Sequence, residues 1–366
     1  MTEVKISKSA LTANLRAYRR AIGDSRILAV VKANAYGHDA ILTTQAVELL
    51  TDWFGVASGQ EALTLRNNKI RKPILVMSFY ATDEISELVK RKISLAVYDL
   101  KQAGFISAAA KKLKRTANIH LKIDTGTSRV GIFPNDAAKF VHELLKLPNI
   151  KIEGLFSHFA ASEMNLELTN KQNHLFNNVA EELEWRGISP IKHIACTAAG
   201  IVASGSRHDM VRLGIGLFGL WPSDLAQKRA KFSLKPALSW RTKIIQVKDL
   251  PKGAYVGYGL TYQTKRPIKL AVLPVGYYDG YDRKLGNVGE ILIGGRRCKI
   301  LGRVCMNLMM VDVTAVKHVK AGDNAILIGR QGKQEITADE LAKKIGTINY
   351  EVVARINPLI RRVYVK

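Results

Sequence analysis

The chain has 366 residues, enough for two domains, and its 47% hydrophobic and 24% charged content is ordinary for a globular protein. Lys and Arg outnumber Asp and Glu by 56 to 31, a formal charge of +25 that would suit an anionic partner. The basic residues are nevertheless spread in twos and threes, as in Lys111-Lys112-Leu113-Lys114-Arg115, with no basic tail and no nucleic-acid motif, so nucleic acid is not expected as a partner. No apolar run approaches the roughly 18 residues of a membrane span, and the N-terminus lacks a signal-peptide pattern. Cys196, Cys298 and Cys305 are too scattered for a disulfide framework or a zinc site. These features predict a cytoplasmic protein without membrane attachment or metal.

From Arg26 to about Gly219, short apolar runs alternate with longer amphipathic stretches. The runs read as strands are Ile27–Val31, Phe54–Ala57, Ile74–Met77, Leu95–Tyr98, Ile119–Ile123, Ile152–Phe156, Ile191–Ala195 and Met210–Leu213. Helical patterns lie between them at Gln60–Asn67, Asp83–Arg91, Lys101–Lys112, Asn135–Leu147 and Thr169–Trp185. Strands separated by helices predict a parallel (β/α)8 barrel of TIM type over residues 1–221, whose active site would form at the C-terminal strand ends. The first few residues are free to join the second domain.

After Pro222–Lys235, read as a linker, the pattern becomes β-branched runs between Gly-rich turns, which predicts a mostly antiparallel β domain over residues 222–366. Its strands are expected at Lys235–Lys248, Ile268–Val275, Val288–Ile293, Arg297–Leu301, Met309–Val313 and Asn324–Ile328, with a short helix near Ala338–Lys344.

Lys32 stands at the end of the first apolar run, in V-V-K-A-N-A-Y-G-H. Long cations are rarely buried without a partner. A desolvated lysine loses its proton readily and can form a Schiff base with an aldehyde; the plain alternative is a lysine that has reached solvent. In I-H-L-K-I-D-T-G-T-S-R-V-G, Ile119–Gly131, Lys122 and Arg129 share one loop with Asp124, which suits either anion binding or a solvated turn. His158 in G-L-F-S-H-F-A closes another strand. Arg212 in D-M-V-R-L-G-I-G sits in so apolar a run that it needs a partner, since it cannot lose its charge.

These segments, in this order, resemble the alanine racemases over nearly the whole chain, from about Lys5 to Val365. The resemblance implies an alanine racemase activity dependent on pyridoxal 5'-phosphate, interconverting L- and D-alanine by two bases and supplying D-alanine for peptidoglycan. Lys32 would hold the cofactor covalently and act as one base; Tyr258, in A-Y-V-G-Y-G-L-T-Y, would be the other. Tyr36 and Thr197 would contact the phosphate, together with the backbone N–H groups of Gly214 and Ile215, and Arg212 would meet the ring nitrogen. His158 and His193 would lie near the cofactor. Arg129, Tyr277 (in P-V-G-Y-Y-D-G-Y) and Met306 (in G-R-V-C-M-N) would bind substrate, and Lys122 would be a site of carbamylation. Cys196, Asn307 and Pro358 replace residues more usual in the family. The family pattern also implies a homodimer in which Tyr258 reaches the barrel of the other subunit. The alternatives on the same scaffold are a broad-specificity amino-acid racemase and a related pyridoxal decarboxylase.

Overall fold

The computed structural model describes residues 2–365. The chain divides into two compact units. One comprises Ala10–Ala33 and Ala40–Lys235; the other gathers the segment ending at Ser9, Asn34–Asp39 and the chain from Pro236 onward. The second unit contains the first strand, β1 (Glu3–Ser7).

The first unit is the expected barrel. Its strands are β2 (Arg26–Val30), β3 (Trp53–Ser58), β4 (Ile74–Phe79), β5 (Ser94–Val97), β6 (Ala117–Lys122), β7 (Ile150–Phe156), β8 (Ile191–His193) and β9 (Met210–Leu213). They pair in parallel in the spatial order β8-β7-β6-β5-β4-β3-β2-β9. Backbone bonds close the ring: Asp209 N–H donates to Lys192 O at 3.1 Å and Arg212 N–H to Ala195 O at 3.0 Å. Apolar runs such as β5 and β9 are buried throughout, as expected of strands covered on both faces. Helix starts are set by local chemistry. Ser58 and Glu61 form a reciprocal capping box on Gly59–Asn67, Asp99 caps Leu100–Lys112, and Asn165 caps Leu166–Trp185. Strand ends differ from expectation by a few residues. Val31, expected in the first strand, lies just beyond it, although its N–H still donates to Gly55 O at 2.9 Å.

The second unit contains two sheets. With β10 (Leu238–Lys243), β11 (Gln246–Leu250), β12 (Ile268–Leu273), β13 (Glu290–Ile293), β14 (Arg296–Lys299), β15 (Met309–Asp312), β16 (Asn324–Gln331), β17 (Gln334–Ile336) and β18 (Arg362–Val365), the larger runs β14-β13-β16-β10-β1-β18, with β17 on β16. The smaller is β11-β12-β15. All pairs are antiparallel except β1 with β18. The single strand expected over Lys235–Lys248 is instead two, β10 and β11. At the junction Ile244 N–H donates to Asp323 O in one sheet and Ile245 N–H to Val272 O in the other, so the chain changes sheets between two isoleucines. Among the described residues, no helix is long and apolar enough to cross a membrane.

Candidate active site

Lys32 follows β2 at the C-terminal mouth of the barrel and begins a turn of uncommon hand. Ala33, Asn34, Ala35 and Tyr36 all have φ between +52° and +54°, a left-handed turn built from four non-glycine residues. Each such residue costs about 1–2 kcal/mol relative to the right-handed form, so surrounding contacts must impose it. The Glu61 carboxylate accepts from Ala33 N–H at 2.6 Å and from Ala57 N–H at 2.7 Å, pinning the start of the turn. At its far end His38 N–H donates to Ala35 O at 3.0 Å. Gly37 follows at φ +82°, where a side chain would strike Val353 O at 2.1 Å. Backbone strain of this kind clusters at functional sites. Tyr36 closes the turn, its ring 6.0 Å from that of Tyr350.

Burial, the nearby Arg129 and then Arg212 lower the pKa of Lys32, with Glu61 acting the other way. Lys122 is more enclosed. Burial, then Arg212 and Arg129, holds its pKa well below the ordinary lysine value, and Asp124 opposes this only in part. Its Nζ lies 4.5 Å from the centre of the Phe156 ring.

Asp124 shapes the loop that presents Arg129. Its carboxylate accepts backbone N–H bonds from Gly126, Thr127, Ser128 and Arg129 at 2.8–3.1 Å. Burial raises its pKa, but these four donors outweigh burial and hold it below the usual value. The loop anchor therefore persists above the ordinary carboxylate range and is lost as pH falls through that lowered pKa.

Arg212 is 4% exposed, and among the described residues its side chain donates only through its two terminal nitrogens. Nη1 donates to His193 O (2.7 Å) and His193 Nδ1 (3.0 Å). Nη2 donates to Ser157 O (2.6 Å), Ile194 O (2.8 Å) and His158 Nδ1 (3.0 Å). Burial lowers its guanidinium to about 10, so it stays charged at neutral pH. Both histidines are held well below their ordinary value, first by burial and next by Arg212. They are therefore neutral acceptors. His193 also stacks on Phe156, with ring centres 5.0 Å apart and planes 2° from parallel.

Thr197 opens the helix Thr197–Val202, with Tyr18 O–H donating to its carbonyl at 2.8 Å. Gly214 N–H, expected at a phosphate, is already committed: it donates to Thr197 Oγ1 at 3.0 Å. That leaves the Thr197 hydroxyl proton and the Ile215 N–H as the donors of this corner. A Cβ on Gly216 would press to 2.8 Å from Thr197 Cγ2, so the turn Ile215–Phe218 needs glycine there.

In the second unit, three loops are knitted together. Tyr277 N–H donates to Cys305 O and Tyr278 N–H to Met306 O, both at 3.0 Å. A side chain on Gly276 would fall 2.1 Å from Cys305 O, and one on Gly302 (φ +72°) 2.3 Å from Val256 O. Tyr258, between Gly257 and Gly259, is 73% exposed, Met306 55% and Tyr277 42%. The sequence reading missed Glu61, His120, Phe156 and Glu153; only Glu61 had a local signal, the S-x-x-E of its capping box.

These features fit pyridoxal phosphate. Arg129 and Arg212 supply positive charge suited to anionic groups, and the Thr197 hydroxyl and the Ile215 N–H are donors suited to a phosphate. Arg212 Nε–H donates to no described protein atom, and burial lowers the proton affinity of the Lys32 amine. Fold and site define a pyridoxal-phosphate-dependent enzyme of the barrel type that acts on amino acids. The family model described as alanine racemase, N-terminal domain, matches residues 6–222, and that for the C-terminal domain matches residues 237–364. Alanine racemase 2 of Caldanaerobacter subterraneus subsp. tengcongensis is 39% identical, covering 100% of this chain and 95% of the relative. The alanine racemase structure from Clostridium difficile superposes with a TM-score of 0.94 at 36% identity, covering 100% of this chain and 95% of that one. A histidine racemase from Leuconostoc mesenteroides subsp. sake has a TM-score of 0.91 at 28% identity, covering 100% and 98%. The chain belongs to the alanine racemase family.

Proposed function

We propose that this racemase interconverts L- and D-alanine with Lys32 and Tyr258 as its two acid–base groups, and that in the cytoplasm it supplies D-alanine for peptidoglycan. The observation that carries the reading is the half-buried Lys32 at the barrel mouth, its proton affinity lowered by burial and two arginines. Pyridoxal phosphate, when bound, supplies an electron sink that acidifies the α C–H bond of an amino acid. Lys32, Tyr36, Thr197, Gly214 (through its bond to Thr197) and Ile215 would hold it, with Arg212 on the ring nitrogen and His158 and His193 steadying Arg212. Fixed as a cation, Arg212 opposes protonation of that nitrogen, which favours prompt return of the α proton over side reactions.

Lys32 in its neutral form accepts the α proton on one face of the substrate, and Tyr258 delivers one on the other. Arg129 and the Met306 backbone hold the substrate carboxylate, with Tyr277 beside it. Tyr258, Tyr277 and Met306 are all exposed in their own chain; we place them against the barrel of a second copy, in a homodimer with two shared sites. The depressed Lys122 amine is a nucleophile suited to carbon dioxide, and we assign it as carbamylated. ¹³C NMR of the native enzyme equilibrated with ¹³C-bicarbonate should show a carbamate carbon that Lys122→Ala removes, and its absence from fully active enzyme would remove the assignment.

Asp124→Asn tests the substrate loop. The amide turns a donor toward Arg129 N–H, leaving a bond unmade that is worth about 1–3 kcal/mol. The KM for alanine should rise by roughly 5- to 50-fold, with kcat changing less; an unchanged KM would contradict the role of Arg129. The function itself is tested by incubating the holoenzyme with L-alanine and following D-alanine by chiral chromatography. Conversion to a racemic mixture is expected. Inert alanine with turnover of another amino acid would favour the broader racemase, a reading kept open by the likeness to a histidine racemase. None of the relatives reported above is a decarboxylase.

A further inference from the structure

A row of side chains leads away from Arg212 through the barrel interior. Arg212 Nη1 lies 3.0 Å from His193 Nδ1, His193 Nε2 lies 2.9 Å from His120 Nδ1, and His120 Nε2 lies 3.3 Å from Glu153 Oε2. A guanidinium only donates. His193 Nδ1 therefore accepts, and its single proton sits on Nε2. That proton is donated to His120 Nδ1, so the His120 proton sits on its own Nε2, where a carboxylate receives it. One arrangement of protons satisfies all three bonds. An extra proton on either ring would set two donors face to face. Burial, the first cause in each case, lowers the pKa of both histidines and keeps the rings neutral.

The row is built deliberately into β6 and β7. Ile119 pairs with Ile152 but His120 pairs with Gly154, so Glu153 is the extra residue of a β-bulge. Strict alternation from Phe156 and Gly154 would turn Glu153 out of the barrel; a bulge re-aims it. Gly154 makes room for the ring, because a Cβ there would lie 2.2 Å from His120 Nδ1. Two further donors reach the carboxylate, Ser94 Oγ at 2.5 Å and Asn118 Nδ2 at 2.7 Å. At the other end, all acceptors of Arg212 among the described residues are carbonyls and neutral imidazoles. A buried guanidinium without a counter-charge is costly, and here the carboxylate at the end of the row supplies one.

We propose that Glu153 is the remote counter-ion of Arg212, acting through His120 and His193 as a positioning residue for the cofactor's ring nitrogen. A carboxylate bonded directly to Arg212 would cancel its field at the site. Two imidazoles away, Glu153 offsets the cost of burial and fixes the geometry, while the guanidinium still faces the cofactor as a cation. The row is not a proton path, because Arg212 does not give up its proton at neutral pH.

The inference rests on Arg212 serving the ring nitrogen, and its test separates the two. Holoenzyme labelled with ¹⁵N-histidine should show His120 and His193 as single neutral tautomers, protonated on Nε2 and bare on Nδ1. An Nδ1–H tautomer or an imidazolium at either residue overturns the relay without any variant being made. In Glu153→Gln the His193 Nε2–H resonance should move upfield although residue 153 does not touch it, and kcat should fall by about 3- to 30-fold with KM within about twofold. An unmoved His193 proton together with wild-type kcat would reduce Glu153 to a local partner of His120, Ser94 and Asn118. Protein that shows both tautomers but does not racemise alanine fails the functional reading, not the relay.

Discussion

Replacing Lys32 by alanine should abolish racemisation in both directions while leaving the barrel folded. Lys32 is half-buried at the strand end, and the left-handed turn behind it is held by the Glu61 carboxylate on Ala33 N–H, a backbone bond that the substitution keeps. Two losses coincide: the nucleophile that would tether the cofactor and one of the two bases. Loss of a positioned base alone costs about 100- to 10,000-fold, so kcat should fall by at least about 1,000-fold in either direction. The substitution should also remove the visible absorbance of lysine-bound cofactor. The measurement is a pair of chiral assays from L- and from D-alanine, with the melting temperature as a control on folding. Activity within about tenfold of wild type would end the assignment of Lys32 as a base.

Tyr258→Phe removes one hydroxyl from an exposed side chain, so folding should be indifferent to it. Racemisation should fall by about 100- to 10,000-fold. The loss must appear in both directions, because a catalyst cannot change the equilibrium between enantiomers. Lys32 remains, however, and can still take the α proton of the enantiomer that presents it to that face and return one to the same face. The variant should therefore exchange the α hydrogen of one enantiomer with solvent without inverting it. Exchange of both enantiomers at wild-type rates would contradict the role of Tyr258. Mixing the Lys32→Ala and Tyr258→Phe chains under conditions that re-form dimers should restore roughly a quarter of wild-type activity, since random pairing gives half mixed dimers with one intact site each. No recovery in demonstrably mixed dimers would place both bases on the same chain.

The barrel was legible because its strands are apolar runs separated by amphipathic helices, a pattern that parallel sheets impose. Lys32 was legible for a related reason: a lone cation ending such a run stands out. Arg212 announced its need for a partner, but not that its acceptors would be two histidines and three carbonyls. Tyr258, Tyr277 and Met306 carry no local pattern that separates a reactive tyrosine from a packed one, and only resemblance singled them out. The left-handed turn was not legible, since Ala-Asn-Ala-Tyr has no glycine to mark it and the conformation is imposed from outside. Glu153 was hidden by the bulge, because alternation assigns it to the wrong face. The sheet change at Ile244-Ile245 was hidden too: adjacent β-branched residues read as one continuous strand.

The measurement closest to the central claim is the isotope content of the first D-alanine formed from L-alanine in deuterated water, read by mass spectrometry before appreciable back-reaction. Two bases on opposite faces predict that this product carries deuterium at its α-carbon, because the group that delivers the hydrogen is not the one that removed it and equilibrates with solvent. D-alanine that retains the protium of the substrate would show one group removing and returning the same hydrogen, and would contradict the division of labour between Lys32 and Tyr258.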